Sequence, residues 1–320
     1  MKALNIIAYL LAAGLFLSVP SAYAQDGASQ EETFTFSRVS PDPAYLGTGL
    51  AGRASYSSVA FASFTNPAVL PFFAGTMDIR GSYVLYAPSY SKMSSFAGGL
   101  GYNFGKVGIS AGLQYMTERK YDVLDEVGDF QGTFTPSDIN ASFGVGYRPL
   151  DNLSFGLSAR YLGEKLSDDV DYSAFAVDFL AYGRLPIDER NEIDLTGGIA
   201  NVGSSIKPDS GESYSAPSSV VLAAQYLNRI PGTGTLGFDL DADYFLNSKA
   251  FTLAVGGKFV YDDILSIRAG YHYATDDAAV PSFASLGLGV KFEGVCIDLA
   301  YLFASDTVKN SLGISLGYTF

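Results

Sequence analysis

From Thr76 to the C-terminus the chain breaks into segments of roughly ten residues, in which large apolar side chains alternate with Gly, Ser, Ala or a charge. The last segment shows this plainly. Leu312, Ile314, Leu316, Tyr318 and Phe320 fall on one face, and Ser311, Gly313, Ser315, Gly317 and Thr319 on the other. The same division recurs with Leu286, Leu288, Val290 and Phe292 against Ser285, Gly287, Gly289 and Lys291. Side chains alternate across a strand, whereas a helical repeat would scramble the two sets. One apolar face and one small or polar face is the dyad pattern of a lipid-facing barrel strand.

Fourteen such segments are expected, at 76–86, 95–104, 106–116, 134–147, 152–163, 173–183, 192–202, 217–227, 234–246, 250–260, 264–274, 283–292, 294–304 and 311–320. The predicted fold class is therefore all-β, a transmembrane antiparallel β-barrel of about 14 strands. An even count puts both ends of the barrel on the periplasmic side. Counted from there, the longer connections Thr117–Thr133, Glu164–Tyr172 and Gly203–Ala216 fall outside, and the tight ones at Gly105, Arg148–Asp151 and Glu293 fall inside. Arg184–Asn191 and Asn228–Thr233 are long for inner turns, and Asn247–Lys249 is short for an outer loop. Tyr102, Tyr147, Tyr226, Tyr261 and Tyr318 mark the periplasmic ends of the apolar face, and Tyr115, Tyr161, Tyr244, Tyr273 and Tyr301 the outer ends. Two such belts suit phenols whose rings sit in acyl chains and whose hydroxyls reach the headgroups.

The start of the chain reads differently. Lys2, an apolar run from Ala3 to Leu17, and Ala22-Tyr23-Ala24 before Gln25 form an export signal with a small-x-small cleavage site. Residues 1–24 are expected to be removed, residues 25–75 to form an N-terminal extension and lumenal plug, and residues 76–320 to form the barrel. The extension is rich in small residues around Gly47, Gly49 and Gly52, which permit close backbone packing, and Asn66-Pro67-Ala68 predicts a turn. A barrel of this size is too wide for wall side chains alone to fill.

Composition narrows the chemistry. Against 20 Lys plus Arg stand 33 Asp plus Glu, a net charge of −13 that argues against nucleic acid as a partner. A single cysteine, Cys296, and a single histidine, His272, exclude an internal disulfide and a Cys-rich or multi-His metal site. No nucleophile sits in a recognisable elbow, so no catalytic residue, cofactor or metal is expected. Asp239-Leu240-Asp241-Ala242-Asp243 looks like the start of a calcium loop, but Tyr244 and Ala250 stand where Gly and Glu are required. Projected inward, the alternation gives lumen-facing Arg80, Gln114, Asn140, Arg160, Asp178, Asp194, Gln225, Asp239, Asp241, Asp243, Lys258, Arg268, His272, Lys291 and Asp298. These groups either pair with one another and with water or line a conduit or binding cavity.

The order of export signal, Gly-rich stretch, Asn66-Pro67-Ala68 and all-β chain resembles the PorV/PorQ family of outer-membrane proteins, relatives of the FadL fatty-acid transporters. Looser matches are Gly132-Thr133-Phe134 entering the fourth segment, Asn152 to Leu157 opening the fifth, and Asn201-Val202-Gly203 closing the seventh. The resemblance implies a non-enzymatic fourteen-stranded barrel with an N-terminal plug in the outer membrane of a Gram-negative bacterium. It further implies a part in type IX secretion, with secretion proteins and cargo bearing C-terminal β-domains as partners. The modest outer loops point to a PorQ-like paralogue rather than a PorV equivalent. The alternative that the resemblance leaves open is FadL-like transport of hydrophobic compounds, which would need an apolar pocket around Phe61, Phe64, Phe72 and Phe73. Outer-membrane lipid and the barrel-assembly machinery are expected partners on either reading. Tyr318 and Phe320 resemble the terminal-strand signal captured by that machinery through strand addition. Deleting Phe320 is expected to impair insertion; normal outer-membrane abundance with normal heat-shifted migration on gels would contradict it.

Overall fold

A computed structural model describes residues 32–90, 92–206 and 214–320. The expected export signal lies outside the described residues. Fourteen strands close into one antiparallel barrel. They are β1 (Met77–Tyr86), β2 (Met93–Asn103), β3 (Val107–Thr117), β4 (Ser137–Leu150), β5 (Leu153–Lys165), β6 (Asp171–Pro186) and β7 (Asn191–Gly203), followed by β8 (Ser219–Ile230), β9 (Gly234–Phe245), β10 (Phe251–Tyr261), β11 (Leu265–Ala274), β12 (Phe283–Phe292), β13 (Val295–Phe303) and β14 (Ser311–Thr319). Each strand pairs with its chain neighbours, and β14 closes on β1 with Arg80 opposite Gly317 and Tyr83 opposite Ile314. Closure removes the free edges that would otherwise remain exposed. No helix among the described residues is long and apolar enough to cross a membrane.

The two ends differ as the connections predict. Turns 104–106, 151–152, 187–190, 231–233, 262–264 and 293–294 crowd one end, together with the start of β1 and the end of β14. The two connections that looked too long shorten because β6 runs on to Pro186 and β8 to Ile230. One boundary is corrected. Phe134 does not begin the fourth barrel strand; Phe130–Phe134 pairs with Tyr121–Leu124 in a separate hairpin at the long-loop end. The amides of Asp129 and Val127 bond the Asp125 carboxylate there and hold it below the usual carboxylate range. Another small pair, Ser205–Ile206 with Tyr214–Ser215, forms in the 204–218 loop.

Outward faces carry exposed apolar side chains such as Leu286, Leu288, Leu312, Ile314 and Leu316, with Tyr115, Tyr147, Tyr161, Tyr244, Tyr261, Tyr273, Tyr301 and Tyr318 also exposed. Inward faces meet the N-terminal segment. Glu32 bridges Ser215 and the Thr33 hydroxyl donates to Glu164, both at the long-loop end. The segment passes the short helix Pro43–Leu46, the helical turn Ala62–Thr65 and the 3-10 turn Pro67–Phe72, and reaches the short-turn end, where Asn103 Nδ2 donates to the Phe73 carbonyl at 2.8 Å.

Inward glycines make room for that path. A Cβ on Gly99, Gly101, Gly112, Gly146, Gly156 or Gly270 would come within 3.0 Å of Ala60, Val59, Phe64, Pro67, Ala68 or Thr48 respectively. The small face of the sequence pattern is thus a seat for backbone. Gly270→Ala is expected to destabilise the folded barrel by about 1–3 kcal/mol through overpacking. Gly98→Ala, on the outward face with nothing within 4 Å, should be neutral. Thermal unfolding in detergent checks the pair, and equal melting temperatures would mean that the seat tolerates a side chain.

Candidate functional site

Asp78, fully buried on β1, is the first anchor. Its carboxylate accepts from the Ser58 hydroxyl (3.0 Å), the amides of Val59 (2.9 Å) and Ala60 (3.2 Å), and the Thr319 hydroxyl (3.2 Å). Arg80 Nε bonds Asp78 at 3.1 Å, Arg80 Nη1 reaches Asp298 at 2.6 Å, and Arg268 reaches the other oxygen of Asp298 at 2.8 Å. One chain of charges thus joins the segment to β1, β13, β14 and β11.

Asp241 is the second anchor. It accepts from the Tyr45 hydroxyl (2.9 Å) and from the amides of Gly52 and Arg53, both at 3.0 Å, while Arg53 forks onto Asp243. Gly52 has φ +134, a backbone conformation that residues with side chains rarely adopt, and its amide lies on the carboxylate. Gly47 and Gly49 abut Gly287 and Gly270 of the wall, glycine against glycine. Lys258 Nζ donates to Ser55 at 3.0 Å and lies 4.0 Å from Asp239, which Gln225 also contacts.

Asn66, Pro67 and Ala68 form the third. Asn66 Oδ1 accepts from the Ala68 amide at 3.0 Å, and its Nδ2 donates to the Arg53 carbonyl (2.9 Å) and to Thr196 (3.0 Å). Pro67 opens the 3-10 turn, where its lost N–H costs nothing. Nearby, Arg160 bonds the Phe64 carbonyl at 2.9 Å and Asp178 at 2.5 Å. Asp178 also takes the amide of Asn201, whose left-handed backbone (φ 54) marks a bulge between β6 and β7. Asp194 is buried 4.0 Å from Arg184, and His272 stacks on Phe283 with centroids 5.2 Å apart.

The long-loop half of the lumen holds an apolar cluster. Inward Val84, Met116, Leu162, Phe283 and Leu302 are fully buried against Phe34, Phe36, Val39 and Leu46 of the segment. The aromatic pocket expected elsewhere is not formed. Phe61 packs on Phe64, Phe72 packs on Tyr182, and Phe73 sits in the same buried cluster as Phe72. Cavities of about 100 Å³ in the long-loop half and about 180 Å³ in the short-turn half lie among the described residues, and Tyr45 and Thr65 line both. No group of His, Cys, Asp or Glu among the described residues is arranged to hold a metal.

Sequence reasoning passed over Asp78 and the inward serines. Ser82, Ser142 and Ser154 donate to the carbonyls of Pro41, Ser63 and Ala68 at 2.6, 2.6 and 2.5 Å. Their place on the small face was the available signal.

No family model and no curated protein sequence matches the chain. Solved structures do. The Pseudomonas putida toluene transporter TodX superposes with a TM-score of 0.59 at 13% identity, covering 86% of this chain and 99% of that one. The Ralstonia pickettii toluene transporter TbuX gives 0.55 at 12% identity, covering 87% and 97%. The monoaromatic hydrocarbon channel CymD gives 0.53 at 14%, covering 87% and 96%. The likeness shows a shared fold. PorV/PorQ membership and a secretion role gain no support from these matches. Asp241→Ala strips three part-buried donors of their acceptor, a loss of about 1–3 kcal/mol. Trypsin is expected to cut after Arg53 in that variant and to spare the bond in the parent; equal protection would show that the carboxylate does not anchor the segment.

Proposed function

We propose that this chain is an outer-membrane conduit for small hydrophobic compounds, with residues 33–75 as its lumenal plug. The observation that carries the reading is the apolar cluster in the long-loop half of the lumen. A water-filled diffusion channel has a polar interior. Here the wall presents Val84, Met116, Leu162, Phe283 and Leu302 inward, and the chain's own Phe34, Phe36, Val39 and Leu46 fill the space between them. Such a wall suits an apolar guest once those side chains withdraw. The fold shared with toluene transporters and a monoaromatic hydrocarbon channel supports the same reading. The apolar outward belt with its tyrosines, and the export signal in the sequence, support an outer-membrane setting with lipid around the barrel.

The double variant Phe34→Ser/Phe36→Ser removes the two largest occupants and leaves the anchors at Asp78 and Asp241 in place. It is expected to raise toluene entry into proteoliposomes several-fold at equal barrel abundance. Toluene entry no faster than through protein-free vesicles, for parent and variant alike, would overturn the proposal.

A further inference from the structure

A polar cavity adjoins the apolar cluster in the long-loop half of the lumen. It lies beside Ser37–Pro41 of the plug, and its polar lining includes Arg53 with its partner Asp243, Gln114, Arg160, Asn201 and His272. These side chains come from the segment and from strands β3, β5, β7 and β11, so the site exists only in the closed barrel. Several of its atoms are buried without a partner: Gln114 Oε1, Asn201 Oδ1, Arg38 Nε and Nη1, and Arg160 Nε. Gln114 is 1% exposed, Arg160 4% and Asn201 8%. An unpaired buried polar atom costs about 1–3 kcal/mol, so atoms kept in this state mark a place that water or a ligand completes.

Charge selects the ligand. Each guanidinium at the cavity already has a carboxylate: Arg160 has Asp178 at 2.5 Å, Arg53 has Asp243 at 2.5 Å, and Arg38 has Glu32. No guanidinium remains as counter-charge for an anion, whose desolvation would go uncompensated. The open atoms are donors and acceptors together, and a hydroxyl, which both donates and accepts, matches that set. Leu50, Phe64 and Phe245 are among the apolar lining, so an apolar body lies naturally beside the polar head. At about 100 Å³ the cavity is smaller than the ~150 Å³ space known to hold benzene, which leaves room for a head group but not for the whole guest.

We infer that this cavity receives the hydroxyl head of a neutral, otherwise apolar molecule, an alcohol or phenol, whose body takes the space that Phe36 and Val39 fill. The inference rests on the plug reading, since the body enters only when the segment yields. Three probes share one body and differ in the head: p-cresol, toluene and p-toluate. Binding to the full mature protein in nanodiscs is measured by calorimetry, with empty nanodiscs as the blank, and toluene entry is followed in proteoliposomes of the same preparation. p-Cresol is expected to bind at least tenfold more tightly than either of the others. Asn201→Gly removes one acceptor while suiting the left-handed backbone, and Gln114→Met removes the other together with the Nε2 donor that holds the Val39 carbonyl at 3.1 Å; each should bring the p-cresol to toluene ratio down toward one. Equal affinities with toluene entry intact would overturn the hydroxyl site and leave the conduit standing. Tightest binding of p-toluate would overturn it in favour of an anion site. No binding together with no toluene entry would overturn both.

Discussion

A stretch of irregular backbone inside a closed barrel must find a partner for every N–H and C=O without a neighbouring strand to supply one. The rest of this structure answers that constraint. Wall glycines let the segment approach until backbone touches backbone, as at Gly47 with Gly287 and Gly49 with Gly270. Wall serines then donate to its carbonyls, and wall aspartates accept from its amides. Room and partner alternate along the same inward faces. The residue classes that make the inner face look featureless in sequence, Gly and Ser, therefore supply the room and single bonds between the carboxylate anchors.

The two halves of the lumen hold it by different means. Toward the short turns, carboxylates bond backbone amides and the charged chain from Asp78 through Arg80 and Asp298 to Arg268 is buried. Breaking one member of such a chain leaves an uncompensated charge, which makes that half stiff and its register specific. Toward the long loops, the contact is mainly apolar and non-directional, between Phe34, Phe36, Val39 or Leu46 and the wall. Apolar contacts slide and exchange more readily than charged ones, and the directional bonds at that end are few among the described residues, including Gln114 to the Val39 carbonyl and the Arg38–Glu32 pair. Mobility, where it occurs, belongs at that end.

The strand pattern was legible almost residue by residue because lipid outside and a confined segment inside impose opposite demands on alternate positions. Leu312 and Gly313 are neighbours in sequence and face opposite solvents. Boundaries failed where the pattern does not depend on the barrel wall: Phe130–Phe134 alternates as well as any wall strand, but its partner is Tyr121–Leu124 in the same loop. Gly47, Gly49, Gly52 and Asn66 could be picked out as a packing motif, since small residues and Asn-Pro have local meaning. Their partners could not, because Asp241 and Thr196 lie far along the chain and only closure brings them near. The apolar cluster in the lumen was missed for another reason. Inward Val84, Met116, Leu162 and Leu302 follow the same alternation as outward apolar residues and carry no charge to mark them as lumenal.

That apolar wall also sets what an opening transition must satisfy. Each large side chain that leaves it loses about 1.5–3 kcal/mol of burial and strips a comparable area of wall. A polar solute entering the vacated space offers nothing against that loss, and water entering it gains few partners. An apolar guest restores the buried area it displaces, so exchange between segment and guest is close to balanced while exchange between segment and water is not. Selectivity for apolar molecules then needs no recognition of their shape. It follows from the wall having an apolar occupant of its own, covalently tethered, whose withdrawal only another apolar occupant can offset.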